Sequence, residues 1–120
     1  MSFVGLDHVQ VAVPPNSEEA ARAFYSGVLG PEEIPKPPSL QTSGGLWFRV
    51  GTAELHLGVE AEFQPARKAH PGLRVTDVNA AAESCTAAGL KIQWDERYPA
   101  VRRFYVADPF GNRVEILQPA

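Results

Sequence analysis

Residues 3–13 (FVGLDHVQVAV) settle into strict apolar–polar alternation toward their end and stop at Pro14-Pro15, which predicts a strand. Ser17 is suited to cap a helix, with Glu18 and Glu19 in its first turn. Ala20, Ala21, Phe24 and Val28 then recur at helical spacing until Gly30 ends the pattern. A proline-rich stretch, 31–38, leads through Gly44-Gly45 to LWFRV at 46–50. A tight Gly51-Thr52 turn joins that segment to ELHLGV at 54–59 as a hairpin.

The second half follows the same order. LRV at 73–75 ends a strand, and Asp77 is placed to cap a helix over VNAAAESCTAAG, closed by Gly89. LKIQW, RFYVA at 103–107, an Asp108–Gly111 turn and RVEILQ at 113–118 complete it. Strand, helix and further strands, in the same order in both halves, predict a single α+β domain of two pseudo-symmetric modules. Module one covers 1–60, a linker 61–69, and module two 70–120.

Four polar residues interrupt the apolar pattern in matched pairs. His8 and His56 are 48 positions apart, and His70 and Glu115 are 45 apart. Residues two apart in a strand share a face. Val9, Val11 and Val13 line one face of the first strand, so His8 and Gln10 take the other. Leu55, Leu57 and Val59 leave Glu54 and His56 opposite them; Leu73 and Val75 stand against His70 and Arg74; Val114 and Ile116 stand against Glu115. Three imidazoles and a carboxylate suit a divalent transition metal if the fold brings them together.

Bulk properties remove several alternatives. A chain of 120 residues is long enough for one hydrophobic core and short for two domains. A net charge of -3 gives no electrostatic reason to expect nucleic acid or an anionic membrane as partner. Cys85 is the only cysteine, so no internal disulfide forms, and no segment reads as a secretory leader or a membrane span. The expectation is a cytoplasmic protein.

LDHVQVAV, AFYSGVLG, ELHLGVE, HPGLRVTD and VADPFGNRVEIL, in this order, resemble the vicinal oxygen chelate superfamily of glyoxalases, bleomycin-resistance proteins and extradiol dioxygenases. FYSGVLG and DPFGNRVEI are the most specific pieces. The resemblance implies two βαβββ modules forming an open, barrel-like sheet around a central cavity. It places metal ligands on the first and fourth strands of each module, and here those slots hold His8, His56, His70 and Glu115.

The resemblance further implies one divalent ion (Zn, Ni, Co, Mn or Fe(II)) and a metal-dependent lyase or isomerase. Such an enzyme chelates neighbouring oxygens of a small substrate and stabilises an enolate or oxyanion. His56 stands where glyoxalase I carries a second glutamate, which leaves the base open between Glu115, His56 and Glu54. Two alternatives accompany this reading. One is an Fe(II) extradiol-type dioxygenase using His8, His70 and Glu115. The other is a non-catalytic small-molecule binder of the bleomycin-resistance kind.

Trp47 and Arg49 share a face of their strand and, across the 51–52 turn, fall beside His56 and Glu54 as substrate contacts. From the seventh strand either Arg103 or Phe104 faces the cavity, because the 108–111 turn leaves the register open. The resemblance also implies a homodimer, in which modules of two chains can share a site.

Overall fold

Rows of β-branched and aromatic residues at alternate positions sort the strands into two sheets, each backed by one helix. The computed structural model describes residues 1–119. In module one, strand β1 (His8–Val13) is followed by helix α1, which begins as Glu18–Arg22 and widens into a π-helical turn over Ala23–Val28. Strands β2 (Glu32–Ile34), β3 (Leu46–Val50) and β4 (Ala53–Val59) complete it. Module two repeats the order with β5 (Gly72–Arg74), α2 (Val78–Ala87), β6 (Ile92–Asp95), β7 (Val101–Ala107) and β8 (Arg113–Pro119). The strand orders are β1-β4-β3-β2 and β5-β8-β7-β6, so the two sheets have the same topology and do not close into one barrel.

Within each sheet the first strand runs parallel to the fourth, and the other pairs are antiparallel. The parallel pair needs a crossover, and the helix supplies it. The apolar rows predicted from alternation form the core. Leu55, Leu57 and Phe48 of sheet one, and Phe104, Val106, Val114 and Ile116 of sheet two, are buried with Phe24, Tyr25, Val78 and Cys85 from the helices.

Four local features differ from the sequence reading. A three-residue strand, β2, lies inside the proline-rich stretch, with Glu32 opposite Arg49 and Ile34 opposite Trp47. Its flanking prolines mask it. Regular pairing in β1 begins at His8 instead of residue 3. Ser17 does not cap α1 through its side chain; its hydroxyl is buried without a partner. Asp77 does cap α2, accepting from the Ala80 amide at 3.0 Å. His70 precedes β5 rather than lying in it, although Glu115 N–H donates to the Pro71 carbonyl at 3.0 Å and ties this segment to β8.

The two motifs most specific to the resemblance meet in space. Tyr25 of AFYSGVLG donates its hydroxyl to Asp108 of DPFGN at 2.7 Å, and both groups are buried. Asn112 of the same turn donates to Asp108 and, at 2.8 Å, to the Ala12 carbonyl at the end of β1. Module two is thereby fastened to the helix and first strand of module one.

Candidate metal and substrate site

Strand register gathers the polar row of sheet one on a single face. Trp47 stands opposite His56 and Arg49 opposite Glu54, while β1 places His8 beside Glu54 and Gln10 beside His56. Three rings pile up there. Trp47 lies parallel to His56 with centroids 3.8 Å apart, and His8 stacks on the far side of His56 at 4.1 Å. His56 is 5% exposed, so this stack fixes its plane. Its Nε2 is 2.9 Å from Glu54 Oε1, and Glu54 also lies 4.0 Å from Arg49. A proton on Nε2 donated to the carboxylate leaves Nδ1 of His56 as the lone-pair nitrogen. His8 Nδ1 is bound in the same way to Asp7 Oδ1 at 2.8 Å, leaving Nε2 as its lone-pair nitrogen. Carboxylate partners of this kind orient an imidazole for metal binding.

Sheet two places Glu115 between Gly72 of β5 and Tyr105 of β7. This row matches Gln10–His56–Trp47 position for position, so His56 and Glu115 are equivalent, as are Trp47 and Tyr105. His8 and His70 stand two residues before Gln10 and Gly72 and are the second equivalent pair. His70 Nδ1 is 2.9 Å from the Lys68 carbonyl, which can only accept, so this nitrogen carries the proton. Its Nε2 then faces Glu115 Oε1 at 2.9 Å. A ring nitrogen facing a carboxylate oxygen is satisfied either by a proton on the ring or by a cation held between or beside them. Two donors held about 2.0–2.1 Å from one ion at about 90–109° stand about 2.9–3.4 Å apart, so the observed spacing fits a pair of neighbouring metal ligands.

An arginine network surrounds Glu115. Arg103 reaches Glu115 Oε2 at 3.4 Å and Asp95 Oδ2 at 3.2 Å, and its Nε is buried with no hydrogen-bond partner. Arg97 grips Asp95 with two side-chain bonds of 2.9 and 2.7 Å. That grip, followed by the neighbouring Arg103 charge, holds the Asp95 carboxyl well below the usual carboxylate range. Arg113 lies 4.5 Å over the Tyr105 ring.

The structure thus brings His8 to His56 and His70 to Glu115, but not one pair to the other. Among the described residues no group of three or more His, Cys, Asp and Glu side chains could hold a metal ion. One chain presents two half-sites in place of the single four-ligand cavity. The β7 alternative is also decided by register. Arg103 and Tyr105 share the Glu115 face, whereas Phe104 is fully buried against Trp94 in the core and is withdrawn as a substrate contact.

Residues 5–116 match the profile of the Glyoxalase/Bleomycin resistance protein/Dioxygenase superfamily. The chain belongs to this superfamily. Among solved structures it is similar to a protein of Bacillus anthracis described as of the glyoxalase family. That likeness has 46% identity and a TM-score of 0.97, and it covers 100% of this chain and 98% of the other. It also shares its fold with TnmS3, an antibiotic binding protein from Streptomyces sp. CB03234 (22% identity, TM-score 0.79, covering 100% and 99%). The fosfomycin resistance protein FosX from Listeria monocytogenes has the same fold (18% identity, TM-score 0.75, covering 99% and 96%). No curated protein sequence matches the chain.

Superfamily membership gives the duplicated module and does not choose among its activities. Sequence reasoning overlooked Tyr105, Asp95, Arg97, Arg113 and Asp7 at the half-sites. Tyr105 was within reach of it, since the hairpin that pairs Trp47 with His56 predicts an aromatic at the same place opposite Glu115. No described helix is long and apolar enough to cross a membrane.

Proposed function

We propose that the protein is a metal-dependent enzyme of the glyoxalase type, a lyase or isomerase acting on a small oxygenated substrate. Its site is assembled from two copies: His8 and His56 of one chain with His70 and Glu115 of another. The observation that carries this reading is the pairing itself. Equivalent positions of the duplicated module each hold two metal-capable donors on the polar face of its sheet, and His70 and Glu115 already stand 2.9 Å apart. Two such pairs complete the four ligands expected of a divalent ion, and one pair does not.

A divalent ion held there supplies Lewis-acid polarisation of a carbonyl or hydroxyl oxygen. The chain's own residues do the rest. Asp7 and Lys68 fix the imidazole tautomers of His8 and His70. Glu54, a carboxylate of the module-one half-site that is not itself one of the four ligands, lies 2.9 Å from His56 and is placed to accept a proton from a substrate carbon. Trp47 forms an apolar wall, and Arg49 and Arg103 offer guanidinium contacts to substrate oxygens.

A second reading, a non-catalytic small-molecule binder, is favoured by the aromatic pile of Trp47, His56 and His8, which covers both faces of His56 and one face each of Trp47 and His8. Metal analysis of untagged protein reconstituted with Zn, Ni, Co, Mn or Fe(II) separates the two. The enzyme reading expects one ion per pair of half-sites, and loss of that ion in His8→Ala and in Glu115→Ala with the fold retained. Full occupancy in both variants, or substoichiometric metal in the parent, refutes it.

A further inference from the structure

A cleft between the 61–69 linker and the paired ends of β6 and β7 carries positive charge that its own chain leaves unanswered. It measures about 540 Å³, and its charged lining is Arg67, Lys91 and Arg113, with no carboxylate. Among the described residues, none of the three lies within 4.0 Å of a carboxylate. The acids nearby are engaged or set apart. Asp95 is held by Arg97 and Arg103, Glu115 by Arg103 and His70, and Asp108 is buried with Tyr25 and Asn112. Glu96 lines an adjoining groove together with Arg97, and Glu60 lines a third cleft that Arg113 also borders. In a chain of net charge -3, three unpaired cations in one concavity focus a positive field there.

The walls of this cleft are fixed. Pro65 of the linker packs on Gly111, where an added Cβ would stand 3.4 Å from the proline ring, and the Lys68 carbonyl is bound to His70 Nδ1 at 2.9 Å. Arg113 lies 4.5 Å over the Tyr105 ring, with Nη2 3.4 Å from His70 Nδ1. Both of those nitrogens carry protons, so the contact is no hydrogen bond and the Arg113 donors stay available to a ligand. Gln93, paired with Tyr105 across β6 and β7, adds an amide donor to the lining.

We propose that this cleft binds the phosphate group of a small phosphorylated compound, and that this compound is the substrate whose other oxygens reach the neighbouring half-site. The second clause rests on the metal-site reading above, and the first does not. A phosphate monoester carries about -1.5 to -2 charges at pH 7 and three strong acceptor oxygens. Two guanidinium forks and one ammonium match that charge and that number of oxygens, whereas a single carboxylate leaves cations unanswered. The spacing agrees. A guanidinium holds an oxyanion at about 2.7–2.9 Å, and an imidazole holds an ion at about 2.0–2.1 Å. Arg113 touches His70, so little more than these two side chains separates phosphate from ion, a span that a short carbon chain bridges.

Isothermal titration calorimetry on the metal-free full chain at low salt compares inorganic phosphate, 3-phosphoglycerate and glycerate. The last two share neighbouring carboxylate and hydroxyl oxygens and differ only in the phosphate. Both phosphate compounds are expected to bind, and glycerate to bind about tenfold more weakly or worse. Arg113→Gln, and Arg67→Gln/Lys91→Gln together, should each weaken 3-phosphoglycerate by roughly tenfold or more, because each removes charge-assisted hydrogen bonds. Arg22→Gln, which takes one charge from helix α1, should leave binding within about twofold of the parent, since surface charges beyond a Debye length are screened. All four side chains are exposed, so far-UV circular dichroism should match the parent in every variant. Glycerate bound as tightly as 3-phosphoglycerate overturns the phosphate assignment. An equal loss in Arg22→Gln, or no loss in either cleft variant, overturns the cleft. Repeating the titrations on Co(II)-loaded protein separates the two clauses. Tightening of 3-phosphoglycerate by about tenfold or more, with inorganic phosphate unchanged and the Co(II) visible absorption altered, supports a substrate that spans cleft and ion. Affinities unmoved by bound Co(II) refute that span and make free phosphate the ligand. A parent that takes up no Co(II) yet binds phosphate in the cleft supports the phosphate site and refutes the metal reading.

Discussion

Tyr25→Phe removes one oxygen atom and tests how the two modules are fastened together. Tyr25 is fully buried and donates to Asp108 Oδ2 at 2.7 Å, and Asp108 is 5% exposed. The carboxylate collects three further bonds at 2.8–2.9 Å, from the amides of Phe110 and Asn112 and from Asn112 Nδ2. A hydrogen bond to a charged group contributes about 1.5–3 kcal/mol net, and a short one made by a hydroxyl belongs toward the upper end. The three remaining donors keep the carboxylate from being stranded and pull the value down. We expect a loss of about 2 kcal/mol, which for a chain of this size lowers Tm by roughly 6–12 °C. Urea unfolding should show a lower midpoint with an unchanged slope, since the burial of the rest of the chain is the same.

The same contact makes a second, independent readout. Burial first, then the Asp108 charge, pushes the Tyr25 phenol far above its ordinary value. Tyr25 should therefore release its phenolic proton, followed by ultraviolet absorbance, only on unfolding. A group whose folded value is raised keeps its proton while the unfolded chain loses its own, so stability is whole below about pH 10 and falls above it. Tyr25→Phe should flatten that alkaline limb. A loss under 0.5 kcal/mol, or an alkaline limb as steep as the parent's, would show that the two motifs are not joined by this bond.

Other outcomes follow from the same geometry. At Gly45, φ is +83° and an added Cβ would stand 2.0 Å from the Leu57 carbonyl oxygen, whereas at Gly89, φ is +81° with nothing within 4 Å. Gly89→Ala should cost about 1–2 kcal/mol of backbone strain, and Gly45→Ala distinctly more in denaturant unfolding; equal costs would contradict the close approach of β3 to β4. Arg97 holds the Asp95 carboxyl low, so its contribution is present above the unfolded value near pH 4 and is lost as pH falls below it. Asp95→Asn should give a shallower acid limb between pH 4 and 2 in denaturant midpoints, and an unchanged limb would place the acid sensitivity elsewhere. Metal added to the assembled protein should quench Trp47 emission through the stacked His56 ring, and His56→Ala should abolish that response; quenching that survives the substitution would point to another site.

What the sequence reveals of this fold depends on how local the deciding interaction is. Alternation is decided by neighbouring residues, so it places His8, Glu54, His56 and Glu115 on the polar faces correctly, and the short Gly51-Thr52 turn carries the register across to Trp47 and Arg49. The turn before β8 is held by Asp108 accepting from Phe110, Asn112 and Tyr25, the last 83 residues away, so the choice between Arg103 and Phe104 waits on a contact no local pattern shows. β2 is hidden for the opposite reason. Its three residues pair with β3 but sit between Pro31 and Pro35, whose local signal is for a loop.

Convergence of the ligands is the least local property of all. Faces and registers fix where each donor lies within its own sheet, and the duplicated module makes the two pairs equivalent. Neither fixes how one sheet is set against the other, and a single chain leaves the pairs apart. A duplicated module can bring its halves together within one chain or between two with the same periodicity, caps and turns. The features that bear on that choice here are the ones the core does not use: an open β1 edge with a partner only in β4, and two donor pairs on the polar faces of separate sheets. In the proposed function these pairs would be completed by a second copy, so the assembly state of the protein is the measurement on which that reading turns.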